Sequence, residues 1–253
     1  MLIPRVIPCL LLRGSGLVKT ERFADPKYVG DIINAVKIFN DKEVDEIIIL
    51  DIEAHKGRGR INWELVTKTA TEAFMPMCYG GGVTSLDEIK RLFKAGIEKV
   101  SINTASHSDP RLIESAAKTF GSQSIVAGID VKKGFLGRYA VVSHGGDKKQ
   151  STDVVHWAKT VERAGAGEIL LNSVDRDGTR SGYDLELVRL VTSAVRIPVI
   201  ACGGAGKVEH FAQAIASGAS AVAAGSLFVF HGPHRAVLIT YPERTELTKW
   251  LAR

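Results

Sequence analysis

The chain has 253 residues without a break in composition, and its 45% hydrophobic and 24% charged residues are those of an ordinary water-soluble chain able to bury one large core. A formal net charge of +5 favours anionic small molecules or an acidic partner surface, but no Lys/Arg run interleaved with aromatics supports nucleic-acid binding. Cys9, Cys78 and Cys202 are odd in number, far apart and set in strand-like runs. They read as small buried residues of a reducing, cytoplasmic protein, neither a disulfide framework nor a metal site.

From the amino terminus, the apolar run after Arg5 is short, broken by Pro4 and Pro8, and followed by no small-residue cleavage site, so it reads as a strand and not as a signal peptide. No window approaches the ~18 apolar residues of a membrane helix. Strands are predicted at RVIPCLLL, EIIILDI, MPMCYGG, KVSIN, SIVAGIDV, EILLNSV, IPVIACGG and AVAAGS. Between most of them lie amphipathic stretches. Ser85 to Glu88 reads as a capping box ahead of Ile89, Leu92, Phe93 and Ile97 at helical spacing. Asp109-Pro110 reads as an N-cap with proline at the first helical position. Eight strands alternating with helices over this length predict an α/β fold, a (β/α)8 TIM barrel filling residues 1–253 as one domain. A doubly wound open sheet is the alternative, but no G-x-G-x-x-G follows the first strand.

An internal repeat supports the barrel. EIIILDIEAHKGRGRINWELV from Glu46 matches EILLNSVDRDGTRSGYDLELV from Glu168 without a gap; the same spacing carries Pro76 to Pro198, Gly81-Gly82 to Gly203-Gly204 and Gly96 to Gly218. Two half-barrels of four βα units each account for this.

Barrels carry their chemistry at the carboxyl ends of the strands. There, YGGGV and SINTA in one half, and CGGAG and AAGSL in the other, put glycine amides, Asn103 and Thr104 beside helix starts, an arrangement suited to phosphate. Two such cradles predict an elongated ligand with a phosphate at each end. Asp51, Asp130 and Asp177 stand at strand ends, and Lys19 lies in the first loop. Asp130 ends a strand that otherwise wants apolar residues and is the candidate general acid or base. Asp51 reads equally well as a structural carboxylate, and Asp177 as one that orients a loop. Arg5, Glu46, Lys99 and Glu168 each open an apolar strand, so they are predicted to pair as a charged layer at the opposite, amino-terminal face.

These motifs, from about Arg5 to Phe230, resemble the cyclase subunit, HisF, of imidazole glycerol phosphate synthase. The resemblance implies that a glutaminase subunit docks at the amino-terminal face and that ammonia passes a gate formed here by Arg5, Glu46, Lys99 and Glu168. At the mouth it would meet the bis-phosphate nucleotide PRFAR. No cofactor is implied. The phosphate contacts carried over are Gly82, Asn103, Thr104, Asp177, Gly178, Gly204, Gly225 and Ser226; Lys19 and Asp130 carry over as catalytic residues, and Glu98 as a glutaminase contact. One position departs. The family reads PCLDV where this chain reads PCLLLRG, so Leu11 stands where the family has its second catalytic aspartate. The repeat independently sets Leu11 opposite Asp130. The tail from Leu227 to Pro242 departs as well. Both features resemble the paralogous barrels linked to sugar amidation in surface-polysaccharide synthesis, which implies a separate amidotransferase as a further partner. A working cyclase of histidine biosynthesis is the alternative. A related sugar-phosphate isomerase barrel is weaker, since it lacks the gate.

Overall fold

The computed structural model describes residues 3–54, 61–134, 137–232 and 234–252. Eight parallel strands close on themselves: β1 (Arg5–Arg13), β2 (Ile47–Asp51), β3 (Met77–Gly80), β4 (Lys99–Ile102), β5 (Ile125–Lys133), β6 (Glu168–Ser173), β7 (Val199–Cys202) and β8 (Ala221–Ala224). Each pairs with the next, and β8 returns to β1 with Ile7 beside Ala223. The strands are apolar on both faces because each is covered twice. Val6, Leu10 and Leu12 pack outward under the helices; Ile7, Cys9, Ile48, Cys78, Val126, Leu170 and Ile200 fill the barrel interior. This period of two stacks the interior in layers. Arg5, Glu46 and Glu168 stand one inward step below Ile7, Ile48 and Leu170, with Lys99 at the start of β4; Leu11 and Asn172 stand one step above Cys9 and Leu170, and Asp130 pairs with Asn172 in register.

Among the described residues, eight helices of eight residues or more surround the strands: α1 (Ile32–Asp41), α2 (Trp63–Glu72), α3 (Leu86–Lys94), α4 (Arg111–Phe120), α5 (Val154–Arg163), α6 (Leu185–Thr192), α7 (Val208–Ala216) and α8 (Arg244–Leu251). The capping box forms as expected, Ser85 and Glu88 each accepting the other's backbone N–H, while Ile89 and Leu92 are buried against the barrel. The Asp109-Pro110 expectation shifts by one residue. Helix α4 begins at Arg111, Pro110 is its cap, and the Asp109 carboxylate accepts the Arg111 N–H at 3.1 Å. Asp109 also closes the short helix Thr104–Ser108, which pins it outside α4.

The half-barrels also share their decoration. The first strand of each half runs past the barrel into an antiparallel arm: Gly16–Glu21 on β1, followed by Ala24–Asp31, and Tyr139–Ser143 on β5. After β8, a hairpin of Phe230–His231 and Ala236–Val237 departs from a plain βα unit. Its Arg235 pairs with Glu21 of the first arm at 3.0 Å. The turn's Pro233 lies outside the described residues. No helix among the described residues is long and apolar enough to cross a membrane.

Candidate active site

The carboxyl ends of the strands surround a cavity of about 1250 Å³. Its wall includes Leu11, Lys19, Leu50, Gly82, Asn103, Thr104, Asp130, Asn172, Asp177, Gly178, Gly204, Gly225 and Ser226, so every mouth residue singled out in the sequence faces one space.

Asp130 sits on β5 with an asparagine on each carboxylate oxygen. Asn103 Nδ2 donates to Oδ2 at 2.7 Å, and Asn172 Nδ2 donates to Oδ1 at 3.3 Å. Burial pushes its pKa up to about 6; the two amide donors favour the ionised form and oppose that rise, while the charge of Asp177 adds to it. Asn172 went unnoticed in the sequence. Its signal was available, since the repeat sets it opposite Leu50 and replaces an apolar strand residue by an amide.

The register shows how the halves differ. Asp130 lies beside Asn172 on β5 and β6, while Leu11 lies beside Leu50 on β1 and β2. One half presents a polar pair to the cavity, the other an apolar pair at the corresponding place.

Lys19 is buried, and its Nζ donates to the Cys9 carbonyl at 2.7 Å. Asp177 accepts from Thr20 Oγ1 at 2.7 Å, and its carbonyl accepts from the Arg22 N–H at 2.9 Å. It therefore ties the first arm to the loop after β6; burial raises its pKa, and the Thr20 bond and the Lys19 charge counter that. The carboxylate thus serves the arm. At the cavity floor the Cys9 thiolate is favoured by a bond from Cys202 and by the Lys19 charge, against burial, while Cys202 is pushed up by the same bond.

Gly82 and Gly204 occupy repeat-related turns at φ +68° and +113°. A Cβ on Gly82 would meet Ala54 Cβ at 2.6 Å, and one on Gly204 would collide with the Gly182 carbonyl, so both turns need glycine for conformation and for space. Thr104 and Ser226 open the short helices Thr104–Ser108 and Ser226–Val229 at the cavity rim. Asn103 Nδ2 is committed as a donor to Asp130, while Thr104 Oγ1 accepts from the His144 N–H at 3.2 Å and keeps its own O–H to donate. Asp51 accepts the N–H groups of Glu53 and Ala54 at 3.0 and 3.2 Å, a loop-capping arrangement.

At the other end of the barrel the four charges form one ring. Arg5 bonds both Glu46 and Glu168, and Lys99 Nζ reaches Glu46 at 2.9 Å and Glu168 at 2.8 Å. Burial would lower the pKa of both bases, but the bonds to the two carboxylates outweigh it and hold them above their usual values. Exposed Glu98 lies beside this ring at the start of β4, its N–H on the Met77 carbonyl.

The model of the histidine biosynthesis protein family matches residues 5–234. The chain belongs to that family. Within it, the chain is 54% identical over 244 residues to a Pseudomonas aeruginosa protein provisionally named imidazole glycerol phosphate synthase subunit hisF2, covering 96% of this chain and 97% of the relative. It is 47% identical to a provisionally named HisF of Leptospira borgpetersenii, over 97% and 98% of the two chains. It is 45% identical to imidazole glycerol phosphate synthase subunit HisF of Alkaliphilus metalliredigens, over 91% and 92%. These near-full-length matches place the barrel among the HisF proteins. In this HisF-family barrel the cavity, the polar pair of β5 and β6 and the charged ring all lie within the matched residues, and Leu11 faces the cavity from β1.

Proposed function

We propose that this HisF-family barrel receives ammonia from a glutaminase subunit docked on its amino-terminal face and serves nucleotide-sugar amidation in surface-polysaccharide synthesis, together with a separate amidotransferase. The observation that carries the reading is the pairing of Leu11 with Leu50 at the mouth. A leucine takes up and releases no proton, and losing a positioned acid or base typically costs ~10²–10⁴-fold in rate. The charged ring and the apolar interior support a barrel that still handles ammonia: neutral ammonia crosses an apolar core at far less cost than an ion. The numbered name of the relative hisF2 agrees with a branch of additional copies.

A cyclase that makes imidazole glycerol phosphate from PRFAR and ammonia is the second reading. The clamped Asp130 and the repeated glycine turns favour it. Turnover of PRFAR with ammonium salts, in wild type and Leu11→Asp, separates the two. The conduit reading expects no wild-type turnover and activity on restoring the acid. Robust wild-type turnover would overturn it.

A further inference from the structure

We infer that Asn103 and Asn172 are positioning residues that clamp Asp130 as an oriented, ionised base, and that the Asp130–Asn172 pair is a unit whose counterpart in the other half, Leu11–Leu50, is inert. The mouth would then transfer protons on one side only. The inference rests on taking this mouth as the reacting site.

The geometry divides the work. Asp130 is half-buried and lines the cavity, so its carboxylate meets the mouth on one side and the protein on the other. On the protein side it is held by two amides, one per oxygen, projecting from either side of β5. Two donors on two oxygens set the carboxylate plane, leaving its remaining lone pairs for a proton arriving from the cavity. The amide assignment is dictated chemically: an Asn oxygen turned toward an ionised carboxylate would repel it, so each Nδ2 faces Asp130. Both Asn Oδ1 atoms are buried and have no hydrogen-bond partner among the described residues, so the clamp is kept at the expense of two unmet acceptors there. That cost has no purpose in a purely structural contact, for which the Leu–Leu solution of the other half suffices.

The charged groups acting on this site are few. Asp177, from the loop after β6, opposes ionisation of Asp130. The Cys9 thiol of β1 interacts with it across the floor. Lys19, from the first arm, acts on Cys9 and Asp177. On its own strand, Lys132 is turned away and bonds the Gly146 carbonyl at 2.8 Å. The amides are therefore the principal groups favouring the ionised form.

The test titrates Asp130 in the whole protein without substrate, by carbon-13 NMR of labelled aspartate, with Asp130→Asn identifying the signal. Asn172→Leu copies the apolar counterpart with a side chain of similar size, and Asn172→Thr returns a donor at the same strand position. The clamp predicts a titration midpoint raised by about one pH unit or more in Asn172→Leu, a tenfold weaker ionisation, and partly restored in Asn172→Thr. Asn103→Leu should shift it the same way and further, its bond being the shorter. If Asn172→Leu does not fold, Asn172→Thr against Asn172→Val makes the same comparison. An unmoved midpoint in the folded Asn172 and Asn103 variants would overturn the inference. Because the readout uses no substrate, a failed PRFAR assay leaves it standing.

Discussion

Lys19 occupies the room that a side chain on Gly225 would need. A Cβ built on Gly225 would lie 2.7 Å from Lys19 Cε and 2.8 Å from the Cys9 carbonyl oxygen, and would collide with the ammonium itself. The first arm, β1 and the loop after β8 therefore meet at one lysine, which a glycine admits. Gly225→Ala should expel Lys19 from its bond to Cys9 and strain the backbone contact, costing about 1–3 kcal/mol, as overpacking does. Thermal unfolding measures the cost. Binding of inorganic phosphate, followed by calorimetry, should weaken as the ammonium leaves the cavity wall.

Asp130 makes stability depend on pH in a definite sense. Its pKa is raised from the ordinary 3.8 to about 6 by burial, so between those values the folded state holds a proton that the unfolded chain has released. The group's contribution is whole below about pH 4 and is lost as pH rises through about 6. At pH 7 the ionised carboxylate costs roughly 3 kcal/mol relative to a neutral group. Asp130→Asn should be more stable than wild type at pH 7–8 and about equal near pH 4. Denaturant unfolding at the two pH values checks it; an equal gain at both would refute the assignment.

The ring of Arg5, Glu46, Lys99 and Glu168 should respond to single truncations more than a surface network would, because Glu46 is only 2% exposed. Lys99→Met leaves two carboxylates sharing Arg5, and Glu46→Gln leaves two cations sharing Glu168. Each should cost about 2–4 kcal/mol, as removing one partner of a buried pair does. With a glutaminase bound, each should also separate glutamine hydrolysis from downstream amidation. Unchanged coupling in both variants would sink the role of the ring in ammonia passage.

Phe74 stands at the amino-terminal face just before β3 and is 88% exposed, with its N–H held by the Asn40 side chain at 2.9 Å. A large apolar ring held out from the surface on a braced backbone suits a buried anchor in a complex. Phe74→Ala should weaken glutaminase association by about 1–2 kcal/mol, roughly 5- to 30-fold in Kd, with no loss of thermal stability. Glu98→Lys should act mainly on the association rate and its salt dependence. Surface plasmon resonance at two ionic strengths distinguishes these effects.

Much of this molecule was legible before folding. Residues 6–12 and 47–50 announce buried parallel strands by being apolar without alternation, because both their faces are covered. The repeat spacing from Glu46 to Glu168 fixed the eight-unit plan, and the charges opening strands foretold the ring, since buried charges must find each other. The anomaly at Leu11 was legible from the repeat alone.

What the tertiary structure decided is who touches whom across the barrel. No local pattern joins Asn172 to Asp130, 42 residues apart, or Asp177 to Thr20, 157 apart. Those contacts depend on strand register and on arms folding back over the mouth, both set by closure of the whole sheet. For the same reason Asn103 proved to be committed to a carboxylate, and Asp177 to the first arm. Sequence spacing reveals which residues share the mouth; only the closed barrel apportions its hydrogen bonds, because register and the folded-back arms decide which donor reaches which acceptor.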